Sequence, residues 1–258
     1  MCGVVGFLGT MSFTDHGLSS SILRRMTDRI ATRGPDGEGY WVHPEEQIAL
    51  GHRRLAIVDV SPAGHQPMAS SSGRYMTVFN GEIYNHIELR KRLESTGEAL
   101  NWRGHSDTET MLACFDVWGV EQTVRACIGM FAIAVWDRQT KSLTLIRDRL
   151  GEKPLYYGWT GSGDERAFVY GSELKALRAY PSFNNKVCRQ ALMQYMRFSV
   201  VPAPLSIYEG INKLEPGCLL TFSAKILRNA VVGNAQEGGE EIKQWWSLAQ
   251  TVLDGEKS

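Results

Sequence analysis

Apolar and polar residues along this chain follow two different periods, and the switches between them mark out its elements. Val4 to Leu8 is a continuous apolar run that is β-branched at its start, as a buried strand would be. From Leu18 the period changes. Leu18, Ile22, Met26 and Ile30 recur four apart, with Leu23 beside them and Arg24, Arg25 and Asp28 opposite, which predicts an amphipathic helix. The turn formers of RGPDG (33–37) end it. GEGYWV, IALGHRRLAIVDV and YMTVFNGEIY read as extended segments, parted by the Pro- and Gly-containing SPAGHQP.

A second helix fits Asn85 to Glu94. Asn85 can cap it, Glu88 follows three residues later, Leu89 and Leu93 share a face, and Gly97 can end it. A third starts at Ser106, which has the capping-box spacing to Glu109. Met111, Leu112, Phe115 and Trp118 form its apolar side, and Gly119 is its stop. Asp107 then lies in the first turn, near unpaired backbone N–H groups. MFAIAVWD, SLTLIRD, PLYYGW and RAFVYG resemble a strand meander, whereas GSELKAL and residues 189–197 look helical. VVPAPLSIYEGINKLEPGCLLTF, broken by Pro and Gly but apolar at intervals, reads as an irregular lobe on the main body. Residues 1–223 are expected to form the main domain, and 224–258 a polar linker leading to a domain junction. Trp245 and Trp246 there signal either a tail tucked back or a surface that meets more protein. No internal repeat is visible.

The 258 residues are 43 % apolar, enough for one sizeable core. Lys plus Arg and Asp plus Glu number 28 each, so the formal net charge is zero and gives no general reason to expect nucleic acid or an anionic membrane as partner. The five cysteines have neither CxxC pairs nor scaffold spacing, which favours a reducing compartment. The apolar start lacks a basic leader, and no run approaches the roughly 20 apolar residues that cross a bilayer. A soluble cytoplasmic protein is expected.

The candidate chemistry is that of amide hydrolysis. Cysteine is the strongest side-chain nucleophile near neutrality. At position 2 it becomes N-terminal once Met1 is trimmed, beside an α-amine of pKa about 7.7–8.0 that can serve as base and then acid. Taken alone, Cys2 reads first as a small apolar residue at a strand start, and the rest of the set is what turns it toward chemistry. Asn80 and Gly81 are the donor pair of an oxyanion hole or an ordinary NG turn. Arg54 is a bidentate clamp for an α-carboxylate or a structural ion-pair partner, with Arg53 beside it. Asp107 can accept from an α-ammonium. His52, His65, His86 and His105 have no metal-ligand spacing, and RDRLGEK (147–153) is not a phosphate loop.

In order, MCGVVG, RGPDG, LGHRRLAIVD, HQPM, FNGEIYN, SDTE, GMFAIAVWD, RDRLGEKPLYY and SELKAL resemble the N-terminal glutaminase domain of glutamine-dependent asparagine synthetase and its relatives. These relatives include amidotransferases of surface-polysaccharide biosynthesis. The resemblance runs from Met1 to about Leu220. It implies an α+β N-terminal-nucleophile hydrolase fold: a four-layer αββα sandwich, two antiparallel sheets between helix layers. It further implies Cys2 as nucleophile, Asn80 and Gly81 as oxyanion donors, Arg54 on the glutamine carboxylate and Asp107 on its α-amine. The backbone around Ile57 and Val58, with Glu82, would line the pocket. L-Glutamine is the implied substrate and a C-terminal synthetase domain the implied partner; a homodimer is left open. No cofactor is expected in this chain, ATP and magnesium belonging to the synthetase domain, whose SGGxDS loop is not found here. The chain is therefore expected to be the glutaminase half of a longer enzyme. Two alternatives stand beside this: an N-terminal-cysteine amidotransferase of aminosugar or purine synthesis, and a non-catalytic interaction domain that keeps the fold.

Overall fold

The structure is a computed structural model that describes residues 1–9, 16–97, 101–223 and 240–255. Its described strands form two six-stranded sheets. The first has the order β10-β8-β9-β1-β3-β2, with β1 Gly3–Gly9, β2 Gly37–His43, β3 Ile48–Arg54, β8 Tyr156–Thr160, β9 Ala167–Gly171 and β10 Ile211–Lys213. The second has the order β12-β11-β7-β6-β5-β4, with β4 Met68–Ala69, β5 Tyr75–Ile83, β6 Gly129–Asp137, β7 Ser142–Arg147, β11 Cys218–Ser223 and β12 Glu240–Gln244. Every strand pair in both is antiparallel.

Side-chain alternation along these strands produces the layers. On β1, Val4 and Leu8 face the gap between the sheets, where they join Ile48, Leu50, Val78, Ala132, Ala134, Leu145 and Leu220. Phe168 and Phe222 bridge that gap with ring centroids 4.1 Å apart. Val5 and Phe7 face the other way, onto Ile22, Leu23 and Met26 of α1 (His16–Asp28) and onto Ala176 and Leu177 of α5 (Leu174–Leu177). The outer face of the second sheet packs Phe79, Ile83, Phe131 and Ile133 against α2 (His86–Glu94), α3 (Asp107–Trp118) and α4 (Val120–Ala126). The expected αββα order is thus present, and β1, buried on both faces, is the continuous apolar run that the sequence shows.

Local signals translate unevenly. Ser106 caps α3 by accepting from the Glu109 N–H at 3.1 Å, and Gly119 ends the helix at φ 78°. The Glu109 carboxylate, however, accepts from Arg103 N and Gly104 N, so the reciprocal half of a capping box is spent on the preceding loop. Asn85 sits at the start of α2 without capping it. Its side chain accepts from Ile128 N at 2.8 Å and donates to Ala126 O at 3.0 Å, tying α2 to the end of α4.

The four strands expected as one meander are two hairpins in different sheets. β6 and β7 belong to the second and β8 and β9 to the first, with the chain crossing over at RDRLGEKP. The polar stretch 224–239 lies outside the described residues. Beyond it the chain returns as the edge strand β12, and Trp245 is buried against Phe131, so the tucked-back alternative describes the tryptophans. The exposed helix α6 (Arg189–Phe198) and a terminal helix α7 (Leu248–Gly255) complete the described elements.

Candidate active site

One pocket at the end of the sandwich is lined by all eight residues singled out in the sequence: Cys2, Arg54, Ile57, Val58, Asn80, Gly81, Glu82 and Asp107. Strand periodicity explains the central pair. Val4 and Val78 both face the gap between the sheets. Cys2 lies two residues before the first and Asn80 two after the second, so both are directed into the same gap.

Cys2 precedes β1, under the loop that follows β3. The Leu55 N–H donates to its Sγ at 3.4 Å, and the thiol in turn lies 3.5 Å from Leu55 O. Arg33, paired with Glu173 at 3.0 Å, donates to the Cys2 carbonyl at 2.8 Å. Burial pushes the thiol pKa up, more than the Leu55 bond, the N-terminal charge and Arg54 pull it down. The thiol is therefore protonated near neutrality, and reaction requires a base. With Met1 in place the nitrogen of residue 2 is an amide and cannot serve.

Asn80 and Gly81 lie inside β5, not at a turn, opposite Ala132 and Phe131 of β6. The bond from Tyr84 N to Ile128 O fixes the phase of this ladder. Even-numbered residues of β5 bond to β6, and the N–H groups of Phe79, Gly81 and Ile83 point to the opposite edge. Two of those three have side-chain acceptors: Phe79 N donates to Gln66 Oε1 at 2.6 Å, and Ile83 N to Asp107 Oδ2 at 3.0 Å. Between them the Gly81 N–H faces the pocket. A side chain at 81 would meet Met130 O at 2.2 Å, which requires glycine there. The buried Asn80 Nδ2 has no hydrogen-bond partner. Two donors without acceptors thus stand side by side in the wall facing the Cys2 thiol.

Arg54 closes β3 and turns its guanidinium toward the loop after it, donating to Ser61 O at 3.0 Å and to Asp59 O. Five N–H donors less these two leaves three for a ligand. Gly64 makes the space, since a Cβ there would lie 2.3 Å from Arg54 Nη2. Asp59 organises the same loop by accepting from Ser61 N and His105 N, each at 2.8 Å, and the Ser61 side chain, followed by the His105 N–H, lowers its pKa to about 2. The strand expected to run on through LAIVD therefore stops at Arg54. Ile57 and Val58 are exposed on the pocket rim. Arg53 goes elsewhere, pairing with Asp28 and with Glu38 to join α1 to β2.

Asp107 is buried at the N-terminus of α3. Burial raises its pKa, against hydrogen bonds from Ile83 N and Thr108 N that lower it. Those bonds occupy two of about four lone-pair positions, leaving capacity for a cation.

Two residues that the sequence left without a role support the donor strand. His52 Nε2 donates to Phe79 O at 3.1 Å from a fully buried ring, whose pKa burial lowers to about 3. Gln66 receives Phe79 N and donates to Thr108 Oγ1 at 3.2 Å. Their signal was positional only: each sits within a motif of the resemblance, LGHRRLAIVD and HQPM. The described residues contain no cluster of three or more His, Cys, Asp or Glu able to hold a metal ion.

Residues 1–231 match the family of the glutamine amidotransferase domain. The chain belongs to that family. The amidotransferase domain is 37 % identical over 226 residues to asparagine synthetase [glutamine-hydrolyzing] 3 of Bacillus subtilis, covering 86 % of this chain and 35 % of that protein. It is 34 % identical over 240 residues to a putative asparagine synthetase of Methanocaldococcus jannaschii, 86 % and 44 % covered. The domain thus spans between a third and a half of the length of these relatives. Among solved structures, the glutamine phosphoribosylpyrophosphate amidotransferase of Bacillus subtilis superposes with a TM-score of 0.63 at 18 % identity, covering 95 % of this domain and 49 % of that chain. That likeness shows a shared fold. No helix among the described residues is long and apolar enough to cross a membrane.

Proposed function

We propose that the domain, after removal of Met1, hydrolyses L-glutamine to L-glutamate and ammonia through a thioester on Cys2. The observation that carries this reading is the pair of free donors, Asn80 Nδ2 and Gly81 N–H, in the wall that faces the thiol. Such a pair suits the oxygen that gains charge when sulfur attacks a carbonyl. Each preorganised donor contributes ~3 kcal/mol to the transition state.

The freed α-amine takes the Cys2 proton as sulfur attacks the side-chain amide carbon, and it returns that proton to the departing ammonia. Water then attacks the thioester, giving glutamate and the free thiol. Arg54 holds the α-carboxylate with its remaining donors and Asp107 the α-ammonium, so their work is positioning. The backbone at Ile57 and Val58, and Glu82, complete the lining. The ammonia serves an ATP-dependent synthetase domain C-terminal to this one. The similarity to proteins named as glutamine-hydrolysing asparagine synthetases makes aspartate the first acceptor to test. The domain acts in the cytoplasm, without a cofactor of its own.

Protein whose mass confirms loss of Met1 should release ammonia from glutamine and be labelled on its N-terminal peptide by an electrophilic glutamine analogue. Cys2→Ala, folded by circular dichroism, should do neither. Activity near the parent's in Cys2→Ala, or labelling at another residue, overturns the assignment.

A further inference from the structure

RDRLGEK builds a buried polar knot. The Asp148 side chain is wholly buried and accepts from four backbone N–H groups, those of Phe131, Leu150, Glu152 and Lys153. Arg147 donates to the carbonyls of Gly151, Lys153 and Leu214. The backbone of Lys153 is therefore held on both sides as the chain crosses from one sheet to the other.

The residue, only 5 % exposed, lines the pocket. A lysine this buried ordinarily has an anionic partner, because an unpaired charge away from water is costly. Lys153 has none among the described residues. Its Nζ lies 3.4 Å from Met1 Sδ, and a thioether is a weak acceptor. Removal of Met1 takes away that neighbour and creates an amine where the chain now continues. The Met1 skeleton bridges Nζ to the Cys2 nitrogen, a span of at most ~10 Å by bond lengths.

We propose that Lys153 is a positioning residue for the base: its fixed charge keeps the Cys2 α-amine neutral and able to accept the thiol proton. This rests on the reading of Cys2 as an N-terminal nucleophile. Like charges disfavour each other, so a cation close to the amine favours its unprotonated form. The other charged groups around Cys2 divide. Arg33 is paired with Glu173, whereas Arg54, tied to the 59–61 loop through two donors, acts in the same sense as Lys153 and keeps its other donors for the substrate carboxylate. Glu82 and Asp107, on the opposite wall, favour the protonated amine, but Asp107 carries two backbone bonds and awaits the substrate ammonium.

The amine works as base only above its own pKa, so kcat/KM for glutamine falls on the acid side of that value. Removing a unit charge at this distance should raise the amine pKa, moving the acid limb of Lys153→Met to higher pH by about one unit. Lys153→Arg should keep the parent's limb. The assay uses the full chain with Met1 loss verified by mass, and thermal unfolding confirms the fold of each variant. Coincident acid limbs for the parent and Lys153→Met overturn the proposal. The parent offers an independent measure should that variant fail to fold: its α-amine, titrated by 15N NMR of Cys2, should have a midpoint below the ordinary range of about 7.7–8.0. A midpoint within or above that range also overturns it. A parent that is neither labelled nor active would defeat the glutaminase reading itself; an active parent with unmoved limbs defeats only the role of Lys153.

Discussion

Asn80→Ala separates catalysis from stability, because the two should respond differently. The Asn80 side chain is buried and its NH2 group has no acceptor. Removing it takes away one oxyanion donor, and the expected loss is 10²–10³-fold in kcat, or roughly 2.7–4 kcal/mol of transition-state stabilisation. KM for glutamine should change little, since the donor addresses charge that develops only during attack. Stability follows a different balance. An unsatisfied buried donor costs about 1–3 kcal/mol, whereas truncating a small side chain forfeits packing worth ~1 kcal/mol. The two offset, and at about 2–4 °C per kcal/mol the unfolding midpoint should stay within ~4 °C of the parent's or rise. Steady-state ammonia release and thermal denaturation on the same preparation give both numbers. A kcat loss below about tenfold, set against the 10²–10³-fold expected of an oxyanion donor, would refute the donor role. A midpoint lowered by more than ~8 °C would show that Asn80 holds the fold together instead.

Gly64→Ala should raise KM for glutamine at least tenfold with a smaller effect on kcat, although residue 64 need never touch substrate. The added methyl meets Arg54 Nη2 at 2.3 Å and must displace the guanidinium. An unchanged KM would show that the position of Arg54 is unimportant for binding. His52→Gln tests a pH dependence. His52 has a pKa of about 3 when folded, against an ordinary 6.5, so the unfolded chain binds the extra proton between these values. The stability tied to its neutral ring is full above pH 6.5 and shrinks as pH falls toward about 3. Glutamine at 52 can still donate to Phe79 O but does not titrate, so unfolding curves of the variant should vary less over that window. Equal slopes would count against His52 as a source of acid sensitivity.

Much of this was legible in the sequence for reasons of period. β1 reads as a doubly buried strand, and period two carries the direction of Val4 back to Cys2. The cap at Ser106 fixes Asp107 in the first turn of α3, the place from which its carboxylate reaches Ile83 N. What local pattern could not carry was long-range pairing. Asn80 and Gly81 look like a turn because β6, the partner that makes them mid-strand, begins nearly fifty residues later. The exchange of sheets between β7 and β8 leaves no trace in alternation, since both hairpins are equally apolar. The crossing is instead recorded in Asp148 and Arg147, in a charged segment that the sequence excludes only as a phosphate loop and whose bonds are almost wholly internal. Arg53 and Arg54, adjacent and chemically alike, are divided by alternation alone: one points to Asp28 and Glu38, the other into the pocket.

The return of β12 bears on where the domain can be cut. Similarity to the family ends at residue 231, yet the second sheet is finished by Glu240–Gln244 lying along β11. Trp245 follows, stacked on Phe131, the residue directly opposite Gly81, with its indole N–H donated to Arg147 O at 3.3 Å. A fragment trimmed at 231 would bare the N–H and C=O groups of β11, an invitation to intermolecular strand addition. It would also remove the aromatic backing of the donor strand. Expression boundaries that respect the sheet run to Trp246 at least, fifteen residues past the point where family resemblance stops.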